Sequence, residues 1–396
     1  MTAPLAHADD GANSLSAGNE GKENFDVTLY GGMRLWRGAE LWLNPEVDQG
    51  FGLSNTHGVA GFPNGEIGAG NADPYIRLQD AFIRQTINLG GATNKVEADI
   101  NQMPGRNSTD RLVVTAGKFS VTDIFDNNHY AHDPRNDFLN FAIIDMGSFD
   151  YASDAWGYTE GASLEGYWSR FAARAGFFVM SKVPGSEMLE TNFSEFQIPV
   201  ELEEDHTFMG NPGKLRALFF LTHAQMASYD EATQIAIATV TTPDLADIRS
   251  THTKMGGGLN LEQQLTDTLG AFARVGYTQG SLEAYDFTDI NETASFGLSL
   301  NGKNWNRPKD TVGLGFAVNN ISNQGKEFLA AGGMGILVGD GQLSDAAAEQ
   351  IIETYYSFSV TDYAKLSADY QFIDNPAYNT QRGPVSVFGV RGHIQF

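Results

Sequence analysis

Three kinds of side chain recur along one polar face of this chain, and together they define the chemistry it offers. Arg34, Arg170, Arg174, Arg274 and Arg391 supply rigid forks of N–H donors, and Glu40, Glu46, Glu201, Glu262 and Glu353 supply carboxylate acceptors. Trp36 and Trp42 add flat apolar surfaces. Such a set suits hydroxyl-rich rings, because forks and carboxylates engage hydroxyls in pairs while an aromatic face covers the C–H side of the ring. Arg170 and Arg174, four residues apart, are expected on the same face of a strand. Any barrel wide enough to hold water also lines its wall with mixed charges that pair for stability. For a single one of these residues the structural role is the commoner one; the group is more telling than its members.

A second cluster lies within 120–153, where Asp126, His129, His132, Asp133, Arg135 and Asp137 crowd one segment. A long loop carrying these groups could fold into a lumen and select solutes, or could bind a divalent cation. The acids lack the spacing of a calcium loop, and a histidine pair three apart on a loop is unspecific. Constriction or loop packing is therefore favoured over metal. Enzyme signatures are poor: there is no Gly-x-Ser-x-Gly elbow and no His-Glu-x-x-His. Gly333-Met334-Gly335 with Gly339 lacks the strand–helix surroundings of a nucleotide turn, and Asn107-Ser108-Thr109 matches a glycosylation acceptor by chance. No cofactor is implied.

The elements that must position these residues are strands. The last twelve residues alternate, with Phe388, Val390, Ile394 and Phe396 on one face and Val387, Gly389, Arg391 and His393 on the other. The pattern recurs from Phe25, where Phe25, Val27, Leu29, Met33 and Leu35 oppose Asp26, Thr28, Tyr30, Arg34 and Trp36. A tight turn at Arg37-Gly38 then leads into a second alternating run, as a hairpin requires. About fifteen such strands are expected, joined by alternately short and long connections, with a weakly patterned stretch near 88–110 as the exception. Residues 1–23 read as a polar loop segment and 24–396 as one barrel domain. A closed single-chain barrel wants an even strand number, so one ascending strand is expected before Met1. Ala6-His7-Ala8 resembles a signal-cleavage triplet without the apolar run that precedes one. Tyr30, Trp156, Trp168, Tyr277, Tyr356, Tyr363 and Tyr370 are expected in interfacial girdles, and a short helix is expected over 326–331.

Composition narrows the class further. A net charge of −24 leaves no basic patch for nucleic acid, and the absence of cysteine removes thiolate chemistry and disulfides. The 44 glycines argue against a helix-rich protein, since each costs a helix about 1 kcal/mol. No apolar run reaches the length of a transmembrane helix, whereas transmembrane strands dilute their lipid-facing residues with lumen-facing ones.

Several ordered segments resemble the OprB-type carbohydrate-selective porins. They are Arg34-Leu35-Trp36, Gly38-Ala39-Glu40-Leu41, Asn44-Pro45-Glu46 and Asp48-Gln49-Gly50-Phe51-Gly52-Leu53 near the start. Gly117-Lys118-Phe119, the loop from Phe125-Asp126 to Arg135-Asn136-Asp137, and Asp154-Ala155-Trp156-Gly157-Tyr158 follow. Asn375-Pro376-Ala377-Tyr378 before Arg382-Gly383-Pro384 completes the set. The resemblance implies an all-β, sixteen-stranded antiparallel barrel in the bacterial outer membrane that lets mono- and oligosaccharides diffuse inward. The partners it implies are small sugars and outer-membrane lipid with lipopolysaccharide; a monomer and a homotrimer fit equally. The competing readings are a general or cation-preferring porin, an exporter of polysaccharide or another product, and a membrane-embedded enzyme.

Overall fold

The alternation becomes a single antiparallel sheet in the computed structural model, which describes residues 1, 11–66, 70–341 and 343–396; Ala6-His7-Ala8 lies outside the described residues. The first strand position is split at Leu29 and Tyr30 into β1 (Asn24–Thr28) and β2 (Gly31–Trp36), and both pair with β3 (Ala39–Gly50). The long hairpin β4 (Asn71–Val96) and β5 (Gly105–Phe119) follows, then β6 (Thr159–Trp168) and β7 (Phe171–Val179). Next come β8 (Phe196–Phe208), β9 (Asn211–Met226), β10 (Ser250–Gln264) and β11 (Leu269–Thr278). The order ends with β12 (Glu292–Asn301), β13 (Thr311–Asn320), β14 (Glu349–Ser359), β15 (Ala364–Asp374) and β16 (Val385–Ile394). From β3 onward each strand pairs with its sequence neighbours. Along β16, the Met1 ammonium donates to the Phe388 carbonyl at 2.8 Å, and the Phe388 N–H donates back to the Met1 carbonyl at 2.8 Å.

Period two sorts the strands into two faces. On β12 and β13, Phe296, Leu298, Leu314 and Val318 are exposed while Thr293, Ser295, Gly313 and Asn319 point inward. A continuous exposed apolar face of this kind is what a barrel presents to hydrocarbon. Among the described residues no helix is long and apolar enough to cross a membrane. Connections at one end are short, such as 169–170 and 209–210, and those at the other are long, such as 120–158 and 321–348. Short helices sit at the long-loop end: α1 (Phe141–Ile144), α2 (Tyr229–Thr239) and α3 (Asn323–Ala330). The last occupies the place expected for a helix at 326–331.

The loop 120–158 is folded inside the barrel. Its Phe125, Phe138, Phe141, Met146 and Phe149 are buried against inward aromatics of the wall. Phe125 meets Phe178, Phe138 meets Phe272 and Tyr355, and Phe149 meets Phe220. Two wall glycines make the approach possible. A Cβ on Gly258 or on Gly276 would come within 2.6 Å of Met146, far inside van der Waals contact.

The weakly patterned stretch near 88–110 is the far part of the β4–β5 hairpin, which runs past the short-turn rim and doubles back. Register shifts between Asn88 and Gly90 and between Gly90 and Thr93, with Gly91 at φ +81°, break the ladder where it bends. The tip then reaches inward-facing wall residues. Asn44 Nδ2 donates to Asn101 Oδ1 at 2.8 Å, Arg84 Nη1 to the Asn101 carbonyl at 2.7 Å, and Arg34 Nη2 to the Pro104 carbonyl at 2.8 Å.

Candidate functional site

Half of the ten wall charges singled out in the sequence are occupied in holding the inserted loop. Arg274 is 1% exposed, and its guanidinium donates to Asp126 Oδ1 at 3.1 Å, to the Asp126 carbonyl at 3.0 Å, and to the Ile143 and Ala131 carbonyls at 2.9 Å each. Glu353 accepts from the Leu139 N–H at 2.5 Å and the Asn140 N–H at 3.0 Å. Glu201 accepts from the Asp126 N–H at 2.8 Å and Glu262 from the His129 N–H at 2.9 Å. Arg391 donates to the Pro134 carbonyl and, at 2.9 Å, to the Asp137 carbonyl. Arg174 braces the wall itself, with Glu201 at 2.8 Å, Glu203 at 3.1 Å and Glu165 at 3.4 Å. These side chains face the lumen, but their polar atoms are spent on backbone and on one another.

Two expected lining residues stand elsewhere. Trp36 is 59% exposed on the outer side, where Nε1 donates to Gln85 Oε1 at 2.7 Å. The bulge between Arg34 and Trp36 inserts one residue and reverses the face. Arg170 lies in the β6–β7 turn at the rim, 3.4 Å from Glu204, so the four-residue spacing to Arg174 does not place both on one strand. Arg34 and Glu40 remain inward, but they meet the hairpin tip; Trp42 is buried with its ring against Gly32.

Beside a space of about 490 Å³ that shares Glu66, Pro134 and Arg135 and is also lined by Asp26 and Arg391, a cavity of about 430 Å³ opens between β1–β4, the inserted loop and the hairpin tip. Glu46, His132, Asp133 and Arg135 line it, as four of the sequence candidates. Asp126 is instead a buried anchor, and His129 and Asp137 line a separate space near the short-turn rim. The cavity's other principal residues were missed. Arg77, on β4, donates through Nε to Asp48 at 2.8 Å and through Nη2 to Glu46 at 3.1 Å. Its Cζ stands 5.0 Å from the Trp156 ring centre and 5.3 Å from that of Tyr158. Trp156 Nε1 donates to the Tyr75 hydroxyl at 2.8 Å, which fixes the indole at the cavity wall. Trp156 and Tyr30 therefore belong to the lumen and not to a girdle, whereas Trp168, Tyr277 and Tyr363 are exposed on the outside. The signal for Arg77 was present: Tyr75, Arg77 and Gln79 alternate on one polar face before the shift at Asp80.

Electrostatics in the cavity is acidic and tightly coupled. Arg135 contacts Glu66 directly and reaches Glu46 at 3.5 Å and Asp26 at 3.7 Å. Burial pushes the Glu66 carboxyl up to about 8, against the pull of Arg135. Burial opposes charge on His132, yet the Asp145 carboxylate, 3.3 Å away, outweighs it and holds its pKa above the ordinary value. Among the described residues no three His, Asp or Glu side chains converge as a metal site. The arrangement offers donor forks, acceptors and aromatic faces around a space the size of a small-ligand site.

Comparison with known proteins agrees with this architecture. The sequence profile of the family described as carbohydrate-selective porin, OprB family, matches residues 12–396. Porin AaxA of Chlamydia muridarum (strain MoPn / Nigg) is 24% identical over 330 residues, 79% of this chain and 61% of that protein. The match thus spans about three fifths of that relative's length. The high-pH structure of Pseudomonas putida OprB aligns with a TM-score of 0.74 over 99% of this chain and 92% of that chain, at 18% identity.

Proposed function

The chain belongs to the OprB family of carbohydrate-selective porins, a family of the bacterial outer membrane, and on that footing we propose that it passes small hydroxyl-rich solutes, mono- and oligosaccharides, by passive diffusion through the cavity beside β4. The short-turn end faces the periplasm and the long loops face outward. The observation that carries the reading is the Arg77–Trp156–Tyr158 group. A guanidinium fork and two aromatic faces border one polar space of about 430 Å³, with Glu46 and Asp48 as acceptors. A sugar entering it exchanges water for paired hydrogen bonds of similar strength, so it binds briefly and leaves, as conduction requires. Porin family and fold speak for a channel in preference to an enzyme, and this passage needs neither covalent chemistry nor a cofactor. The exposed apolar belt meets lipid, and acidic outer loops suit divalent cations that bridge lipopolysaccharide.

The test is single-channel current of the purified protein in a planar bilayer, titrated with glucose and with longer glucans. Saturable block by sugar is expected, with the half-blocking concentration raised roughly tenfold in Trp156→Ala, the size of one lost stacking surface. Openings indifferent to every sugar would remove the carbohydrate reading and leave a general porin.

A further inference from the structure

The cavity is lined by more carboxyl groups than cationic ones. Seven acidic side chains face Arg77, Arg135 and His132, and Glu66 is the one among them that burial holds largely neutral at pH 7. Arg77 is committed to Glu46 and Asp48, and Arg135 to Glu66, Glu46 and Asp26. Asp145 has His132, and Asp133 is turned to the Arg135 N–H at 2.9 Å and Asn136 Nδ2 at 2.6 Å. Asp80 and Asp123 remain. The two nearby cations on β4 and β5 act on this pair through charge and not through a hydrogen bond: Arg84 donates to the Asn101 carbonyl at 2.7 Å, and Lys118 pairs with Asp154 at 2.8 Å.

Asp80 is the informative member. It is 5% exposed, and its Oδ2 accepts from Asn44 at 2.8 Å and from Asn101 at 3.4 Å. Its Oδ1 is buried at the cavity wall with no hydrogen-bond donor among the described residues. A buried carboxylate oxygen left without a donor is costly. Asp123, by contrast, is open to the cavity. A donor that also brings positive charge satisfies both groups, while a neutral hydroxyl satisfies only the hydrogen bond.

We infer that, among hydroxylated solutes, this cavity favours those carrying an ammonium group, amino sugars being the simplest class, and that Asp80 with Asp123 forms the subsite receiving it. The inference rests on the sugar-channel reading above and refines it. Sugar acids, whose carboxylate would meet Asp80 and Asp123, are disfavoured by the same charges.

The experiment compares glucosamine, N-acetylglucosamine and glucuronate as blockers of single-channel current through the full chain at pH 7. N-acetylglucosamine keeps the ring and removes the charge. Glucosamine is expected to half-block at about tenfold lower concentration than N-acetylglucosamine, the size of one charge-assisted hydrogen bond net of desolvation, and glucuronate to block least. The ratio should shrink as salt rises, as a size difference would not. Asp80→Asn should bring the two half-blocking concentrations together, and Asp123→Asn should reduce their ratio, which keeps the test available if one variant fails to insert. Equal block by glucosamine and N-acetylglucosamine in the wild type overturns the inference while leaving the sugar channel standing. A tenfold ratio that survives both substitutions overturns the assignment to this subsite. No block by any sugar overturns the channel reading on which the inference rests.

Discussion

Arg274→Ala isolates what holds the inserted loop. The side chain is fully buried and donates to a carboxylate and to three loop carbonyls. Removing it leaves the Asp126 carboxyl buried, with Asn260 Nδ2 at 2.7 Å and the Met146 N–H at 2.6 Å as its remaining donors among the described residues. Breaking a buried pair in this way costs about 3–5 kcal/mol. The loop also buries Phe125, Phe138, Phe141 and Phe149, each contributing about 1.5–3 kcal/mol as an upper figure. The apolar seat therefore outweighs the lost pair, and the loop stays docked most of the time. Its undocked fraction rises by roughly a hundredfold or more, since about 1.4 kcal/mol is a factor of ten. The strand ladder is untouched, so the barrel should melt as before. The expected record is a main conductance level near that of the wild type with frequent brief excursions to a larger one, and faster proteolysis within 120–158. Asp126→Asn in the same chain removes the stranded carboxyl and should suppress part of the excursions. A record without excursions and with unchanged proteolysis would refute the anchoring role. A permanently larger conductance would refute the weighting, and would mean that the arginine alone seats the loop.

Replacing 97–104 by Asn-Gly joins the paired residues Val96 and Gly105 through a two-residue hairpin turn and removes the tip from the lumen. Conductance should rise at least twofold, by analogy with widening any single constriction, and an unchanged value would show that the tip does not obstruct the path. Gly276→Leu should expel the loop, because even the first side-chain carbon at that position would stand within 2.6 Å of Met146; bilayer recordings should show excursions like those of Arg274→Ala. The His132–Asp145 contact has a pH sign. Because the folded pKa of His132 is raised, the pair's stabilisation is complete below the unfolded value near 6.5 and is lost as pH climbs through the folded one. Loop proteolysis should therefore quicken above neutrality in the wild type, and by a smaller step in His132→Asn. Asp137 behaves differently, since burial first and Asp133 second push its carboxyl up to about 7. Its ionisation works against the docked loop above that pH, so Asp137→Asn should slow loop proteolysis at pH 8 and change little at pH 5.

How far the sequence could be read depended on the distance over which each signal acts. Alternation is local: Phe388 and Val390 against Val387 and Gly389 needs no partner to be seen, and the same rule located nearly every strand. It failed where one residue was inserted. The bulge after Arg34 carried Trp36 outside, and the bend at Gly90 and Gly91 hid the inward return of the β4–β5 hairpin. The wall charges were recognisable as lumen-facing, but their roles were not, because their partners lie far along the chain. Glu353 meets residues 213 and 214 positions away and Arg391 meets Pro134 across 257. Nothing near Glu353 in sequence announces that both its oxygens are taken by loop amides. The reverse error befell Trp156, which looked like an interfacial aromatic near the start of a strand but lies in the loop before β6. Its indole is held by Tyr75 from β4, 81 positions away, and that long-range bond turns it toward Arg77. A porin wall thus carries two populations of charge that composition cannot separate: those consumed in seating the loop, and those left facing the solute. Only the second can select, and we propose that it does so beside β4, where Arg77, Asp80 and the hairpin tip meet.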